Sequence, residues 1–172
     1  MKRIIFVFVF YCSIIPGQAQ SSYNLKKAKN IQPVVGKSIL CPMTEAKILG
    51  ESFKDENYFG NITFSSNDST VFSVSDGLVR CVVFVEDMKV VIIAKDSLTY
   101  SYSNLKSTSV KKGDAVKANQ VIGYAALNLD GVIALDFYLS NKTRPVPLSK
   151  RDFIMRTSKA SIYFTPMLAE PE

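Results

Sequence analysis

From Ile39 onward the chain alternates short apolar runs with polar breaks, and the runs recur at a spacing typical of strands rather than helices. Ile39-Leu40-Cys41-Pro42-Met43 comes first, then Ala46-Lys47-Ile48-Leu49-Gly50. Ile62-Thr63-Phe64 alternates as an edge strand would, and Thr70-Val71-Phe72-Ser73-Val74 follows the turn Asn67-Asp68-Ser69. Asp76-Gly77 is a hairpin dipeptide leading into Leu78 to Val85. Val90-Val91-Ile92-Ile93-Ala94 is apolar on both faces and predicts a central, buried strand. Leu98 to Tyr102 alternates hydroxyl residues with tyrosine, as a half-exposed strand does. Thr108 to Gly123 reads as a small antiparallel β unit around the turn Lys112-Gly113-Asp114, and Val132 to Leu139 is one more strand. No convincing helix interrupts the series. The prediction is an all-β fold, mainly antiparallel, as a sheet or sandwich.

The ends differ in composition. Lys2-Arg3, an apolar run from Ile4 to Ile15 and the small-x-small triplet Gly17-Gln18-Ala19 predict a signal peptide over residues 1–19. The run is short for a bilayer span, so cleavage and release to the periplasm or exterior are expected. Bulky Phe10-Tyr11 before Cys12 argues against a lipoprotein signal. Residues 20–38, with Lys26, Lys27 and Lys29, read as a linker. Residues 39–154 form the predicted domain, and 155–172 a C-terminal extension in which Ile162-Tyr163-Phe164 could add a strand.

Composition removes several function classes. Of 172 residues, 47% are apolar and 21% charged, values of an ordinary globular chain. The net charge of +6 includes Lys2 and Arg3, and no dense basic block suggests nucleic acid. There is no histidine, which removes the commonest metal ligand and the commonest general base. After export Cys41 and Cys81 remain; they could pair in an oxidising compartment or stay as buried thiols.

Four segments in order resemble the M23 peptidase family of LytM-like and lysostaphin-like wall endopeptidases, built on a duplicated hybrid motif. Val71-Phe72-Ser73-Val74-Ser75-Asp76-Gly77-Leu78-Val79 is similar to the family's V-x-A-x-x-D-G-x-V segment. Val110-Lys111-Lys112-Gly113-Asp114-Ala115-Val116 with Gln120-Val121-Ile122-Gly123 resembles V-x-x-G-x-x-V-x-x-G-Q-x-I-G, with Asn119 at the second glycine. Leu135-Asp136-Phe137-Tyr138 and Pro145-Val146-Pro147-Leu148 resemble the L-H-F-E strand and the P-x-x-P region after it.

The resemblance also implies where an active member holds zinc. Its H-x-G-x-D ligands fall on Tyr58 and Ile62, its Y-x-H-L histidine on Asn104, and its H-x-H pair on Ala134 and Asp136. All five are changed. One carboxylate does not hold a zinc ion with an open water position, so neither metal nor cofactor is expected. The expectation is an inactive pseudopeptidase of the bacterial envelope, binding peptidoglycan or regulating a cell-wall hydrolase. Tyr100, Tyr102 and Tyr138 are candidate ligand contacts in that groove, and Asp136 is expected to be exposed or paired with a cation.

Two alternatives stand beside it. A lipoyl or biotinyl carrier would modify Lys89 in Met88-Lys89, although such carriers work inside cells. A carboxylate enzyme acting on cell-wall glycans would pair two of Asp76, Asp114, Asp130 and Asp136, all in contexts where Asp also serves turns and strand ends.

Overall fold

The computed structural model describes residues 38–51, 61–85, 87–142 and 144–158. Twelve strands run through them: β1 (Ile39–Thr44), β2 (Lys47–Glu51), β3 (Asn61–Ser65), β4 (Thr70–Phe72), β5 (Gly77–Val85), β6 (Met88–Lys95), β7 (Leu98–Thr108), β8 (Ala115–Val116), β9 (Val121–Leu127), β10 (Ile133–Asn141), β11 (Arg144–Pro145) and β12 (Phe153–Arg156). The only described helical element is a single 3-10 turn, Lys150–Asp152. The all-β, mainly antiparallel prediction holds. The expected signal peptide and the expected linker up to residue 37 lie outside the described residues, as do Tyr58 and Ile162 to Phe164. β12 runs across the domain boundary expected at residue 154.

Ten strands share one sheet in the order β2-β3-β10-β9-β7-β6-β5-β8, with β4 on β9 and β11 on β10. β10 also pairs directly with β7, from Asp136 opposite Ser103 to Asn141 opposite Leu98. β1 and β12 form a separate two-stranded parallel sheet. β6 lies between β5 and β7 with Val90 to Ile93 buried, as a run apolar on both faces requires.

Three local expectations change. Ile62-Thr63-Phe64 is not an edge strand, because β3 lies between β2 and β10. The stretch from Thr108 to Gly123 is not a unit closed on itself: β8 pairs with β5, and β9 pairs with β4, β7 and β10. Asp76-Gly77 does not join paired strands either, since β4 bonds to β9 and β5 to β6 and β8. Gly77 is required by a close approach instead. A Cβ there would stand 2.6 Å from a methyl of Ile93 and 2.7 Å from the Ala94 carbonyl oxygen.

The core lies on one face of β3, β10 and β7. Ile62, Phe64, Leu135, Phe137, Leu139 and Tyr102 point into it, and Cys41, Met43 and Phe153 of the small sheet meet them. The Phe153 ring packs edge-on against Phe64 at 5.0 Å and Phe137 at 5.9 Å, and Phe137 packs likewise on Tyr102 at 5.3 Å.

Candidate functional site

Successive strand side chains point to opposite faces, so the core contacts of β10 fix what its other face carries. Leu135, Phe137 and Leu139 point inward; Asp136 and Tyr138 therefore share the outer face, half-buried. Across β3 the register sets Thr63 opposite Asp136 and Asn61 opposite Tyr138. Across β7 it sets Ser103 opposite Asp136 and Ser101 opposite Tyr138. The centre of the sheet thus presents a floor of small polar side chains with one carboxylate and one phenol.

The Thr63 hydroxyl donates to Asp136 Oδ1 at 2.6 Å. Burial pushes the Asp136 carboxyl above its usual range, and the Thr63 hydrogen bond offsets part of that. Burial also raises the Tyr138 phenol, and the negative charge of Asp136 adds to the effect.

Asn104 occupies a junction. β10 pairs with β7 as far as Asp136 opposite Ser103, then with β9 from Ala134 opposite Ala126, while β7 continues onto β9 at Leu105 opposite Ala125. At that fork Asn104 takes a left-handed conformation, φ 62°, which Asn tolerates better than most residues. Its Nδ2 donates to the carbonyls of Ala134 at 2.7 Å and Ala126 at 3.3 Å, tying the two diverging strands.

Asn104, Ala134 and Asp136 thus come together at the centre of the sheet. Ile62 does not join them. It is fully buried on the core face, opposite Phe137, and the residue of β3 that meets Asp136 is Thr63. A one-residue slip changes the face of a strand side chain, and the polar Thr63 between apolar Ile62 and Phe64 carried that signal. Two of the three tyrosine contacts also change. Tyr102 is fully buried, and its hydroxyl accepts from the Val74 amide at 2.9 Å. Tyr100 is buried on the same core side and borders a cavity of about 330 Å3 with Ser38, Leu40, Ser75, Asn119 and Leu139. Tyr138 alone of the three shares a face with Asp136. A second cavity of about 530 Å3, lined by Glu45, Lys47 and Asp68 among others, does not reach Asp136 either. Cys41 is buried in β1 and Cys81 half-buried in β5, and no disulfide joins them. Burial pushes the Cys41 thiol up to about 11, against smaller lowering by the Met43 amide and the charge of Arg156.

Residues 59–146 match peptidase family M23. The chain belongs to this family. No curated protein matches it. Among solved structures, a chain of the SpoIIIAH–SpoIIQ complex aligns at 20% identity and TM-score 0.57, covering 63% of this chain and 96% of the other. The catalytic domain of a variant of EnpA, a prophage-encoded M23 protein from Enterococcus faecalis, aligns at 18% identity and TM-score 0.54, covering 63% and 93%. A zinc-containing peptidase from Vibrio cholerae aligns at 24% identity and TM-score 0.52, covering 64% of this chain and 39% of that one. These likenesses share the fold.

The zinc ion of an active M23 peptidase needs about three nitrogen, oxygen or sulfur donors around an open position. On this face Ala134 offers no side-chain donor, Thr63 is spent on Asp136, and Asn104 is turned onto main-chain carbonyls. Among the described residues no three His, Cys, Asp or Glu side chains come together. The described donor set does not fit zinc. A pair of catalytic carboxylates is not assembled either. Asp76 accepts from the Ala118 amide and Asp114 from the Lys111 amide, while Asp130 is exposed in the β9–β10 turn. Among the described residues no second carboxylate perturbs Asp136. Lys89, the carrier lysine of the remaining alternative, lies within β6 opposite Phe84, with its ammonium 5.2 Å from that ring's centroid. It does not stand at the turn tip where a carrier lysine would be modified. No helix among the described residues is long and apolar enough to cross a membrane.

Proposed function

We propose that this M23 domain is exported to the bacterial envelope and binds peptidoglycan without cutting it. One observation carries the reading. Where an active member needs a set of zinc ligands, the described face offers the single carboxylate of Asp136, in a chain with no histidine to supply another. The basic start, apolar run and small-residue triplet of residues 1–19 support export. The half-buried floor of Thr63, Ser103, Ser101, Asn61 and Tyr138 supports binding of a polar, extended ligand across the strands.

A second reading, an envelope protein partner such as a cell-wall hydrolase, is favoured by the likeness to a chain crystallised within the SpoIIIAH–SpoIIQ complex. Incubation of the mature protein with isolated peptidoglycan sacculi tests both. Retention on the sacculi with no soluble fragments released is expected. Release of fragments with stoichiometric zinc in the protein would end the non-hydrolytic reading. Absence from the sacculi would move the function to the protein partner.

A further inference from the structure

The outer face of β10 holds a half-buried carboxylate whose only described hydrogen-bond donor is a neutral hydroxyl, Thr63 Oγ1 at 2.6 Å. Among the described residues no lysine or arginine contributes to the electrostatics of Asp136. A carboxylate withdrawn from water is costly unless a cation or several donors compensate it. Here no compensating cation is found among the described residues, while Ser101, Ser103 and Tyr138 place hydroxyl groups on the same face.

The geometry also selects among cations. A guanidinium binds a carboxylate best as a fork, using both oxygens at once. Thr63 already takes one lone pair of Oδ1, which crowds a fork across both oxygens and leaves Oδ2 as the acceptor with no described donor. A divalent metal requires several oxygen or nitrogen ligands, and among the described residues no three His, Cys, Asp or Glu side chains come together here. A primary ammonium needs one strong acceptor and two weaker ones for its three protons. Asp136 Oδ2 is the strong one; Ser103, directly opposite on β7, and Tyr138, two residues along β10, carry hydroxyl oxygens on the same face.

We propose that Asp136, with Thr63, Ser103 and Tyr138, forms a subsite for a primary ammonium group on a peptide laid across β3, β10 and β7. The subsite rests on the peptidoglycan-binding reading and narrows it: the bound portion of the wall is an amino-bearing peptide, and its amine must be free.

Two experiments separate the subsite from the reading it deepens. In the first, a capped tetrapeptide Ala-Gly-Lys-Ala is titrated into the isotope-labelled mature protein and followed by amide chemical shifts. The same peptide with its lysine acetylated, and one with arginine in place of lysine, serve as controls. The free lysine peptide is expected to shift the amides of Thr63, Ser103 and Tyr138. The acetylated and arginine forms should bind at least about tenfold more weakly, the scale of one charge-assisted hydrogen bond. Asp136→Asn, which keeps the size of the side chain and an acceptor for Thr63, should erase the preference while leaving the remaining amide spectrum native. Thr63→Val, which frees Oδ1, should narrow the gap between lysine and arginine. Equal binding of free and acetylated peptides, or an unchanged preference in Asp136→Asn, would overturn the subsite. In the second, retention is measured on native sacculi and on sacculi whose amines have been acetylated. Loss of retention on the acetylated sacculi is expected. Equal retention on both would remove the subsite and leave wall binding standing.

Discussion

Thr63 and Asp136 are joined across the β3–β10 ladder by a 2.6 Å hydrogen bond. The pairing keeps a carboxylate in the middle of a sheet, and its burial disfavours the charged form. The consequence for stability has a definite sign. A carboxyl whose folded pKa lies above its unfolded value favours folding while protonated, and that contribution is lost as pH rises through the folded value. Ionised Asp136 is therefore a burden at neutral pH. Asp136→Asn is expected to raise the melting temperature by on the order of a few degrees at pH 7.5. The gain should shrink as the pH approaches the ordinary carboxylate range. Thermal unfolding of both proteins at pH 7.5 and pH 4 checks this; a variant less stable than the parent at pH 7.5 would mean the carboxylate is compensated by something else.

Asn104 makes a different kind of statement about the same region. Its amide ties Ala134 to Ala126 where β10 leaves β7 for β9, and its backbone is left-handed. Asn104→Ala removes both hydrogen bonds and strains the backbone, for an expected loss of roughly 2–4 kcal/mol. Asn104→Gly relieves the strain and should lose less. Asn104→Asp sets a carboxylate against two carbonyl oxygens and should lose most. Urea unfolding ranks the three. Tolerance of Asp would show that the fork is held without this side chain.

Cys41 should be chemically silent in the folded protein. It is fully buried, and its thiol is pushed up to about 11, so almost no thiolate exists at pH 8. Alkylation of the native protein at that pH, read residue by residue by mass spectrometry, should leave Cys41 unmodified until denaturant is added. Rapid native labelling would mean that β1 opens readily from the core.

How much of this was legible in the chain follows from what each signal encodes. The apolar runs of β5, β6 and β10 fixed their strands because burial demands them, and turn chemistry marked Lys112-Gly113-Asp114, where Gly113 has φ 92°. Strand partners were not legible. Pairing of β8 with β5 rather than β9 is a long-range choice that no local pattern records. Asp76-Gly77 signals a turn by its dipeptide alone, whereas the glycine lets β5 pass close to β6. At the site, Ala134 and Asp136 were legible as neighbours because they lie on one strand two residues apart, whereas Ile62 falls on the core face and the β3 residue that meets Asp136 is Thr63. Tyrosines on alternate positions of β7 gave no clue as to which face was wet; the inward face proved to be theirs.

The small parallel sheet lies outside the span matched by the family, and its closure depends on Arg156. The guanidinium stacks 4.2 Å from the centroid of the Phe72 ring, Nη2 donates to Asn119 Oδ1 at 2.7 Å, and Nε donates to the Cys41 carbonyl at 3.3 Å. One side chain of β12 thereby holds β4, the turn after β8 and β1. The Arg156 carbonyl also accepts from the Glu45 amide at 2.7 Å. A planar group with several fixed donors can make these contacts together, whereas an ammonium is a point charge on a flexible stem. Arg156→Lys should therefore lose nearly as much stability as Arg156→Ala, about 1–3 kcal/mol in urea unfolding. Both variants should also increase hydrogen exchange of β1 amides, because β12 is the hydrogen-bonded neighbour of β1. A lysine variant as stable as the parent would show that charge alone closes the sheet. Unchanged β1 exchange in the alanine variant would show that Phe153, wedged between Phe64 and Phe137, holds β12 on the core without help from the arginine.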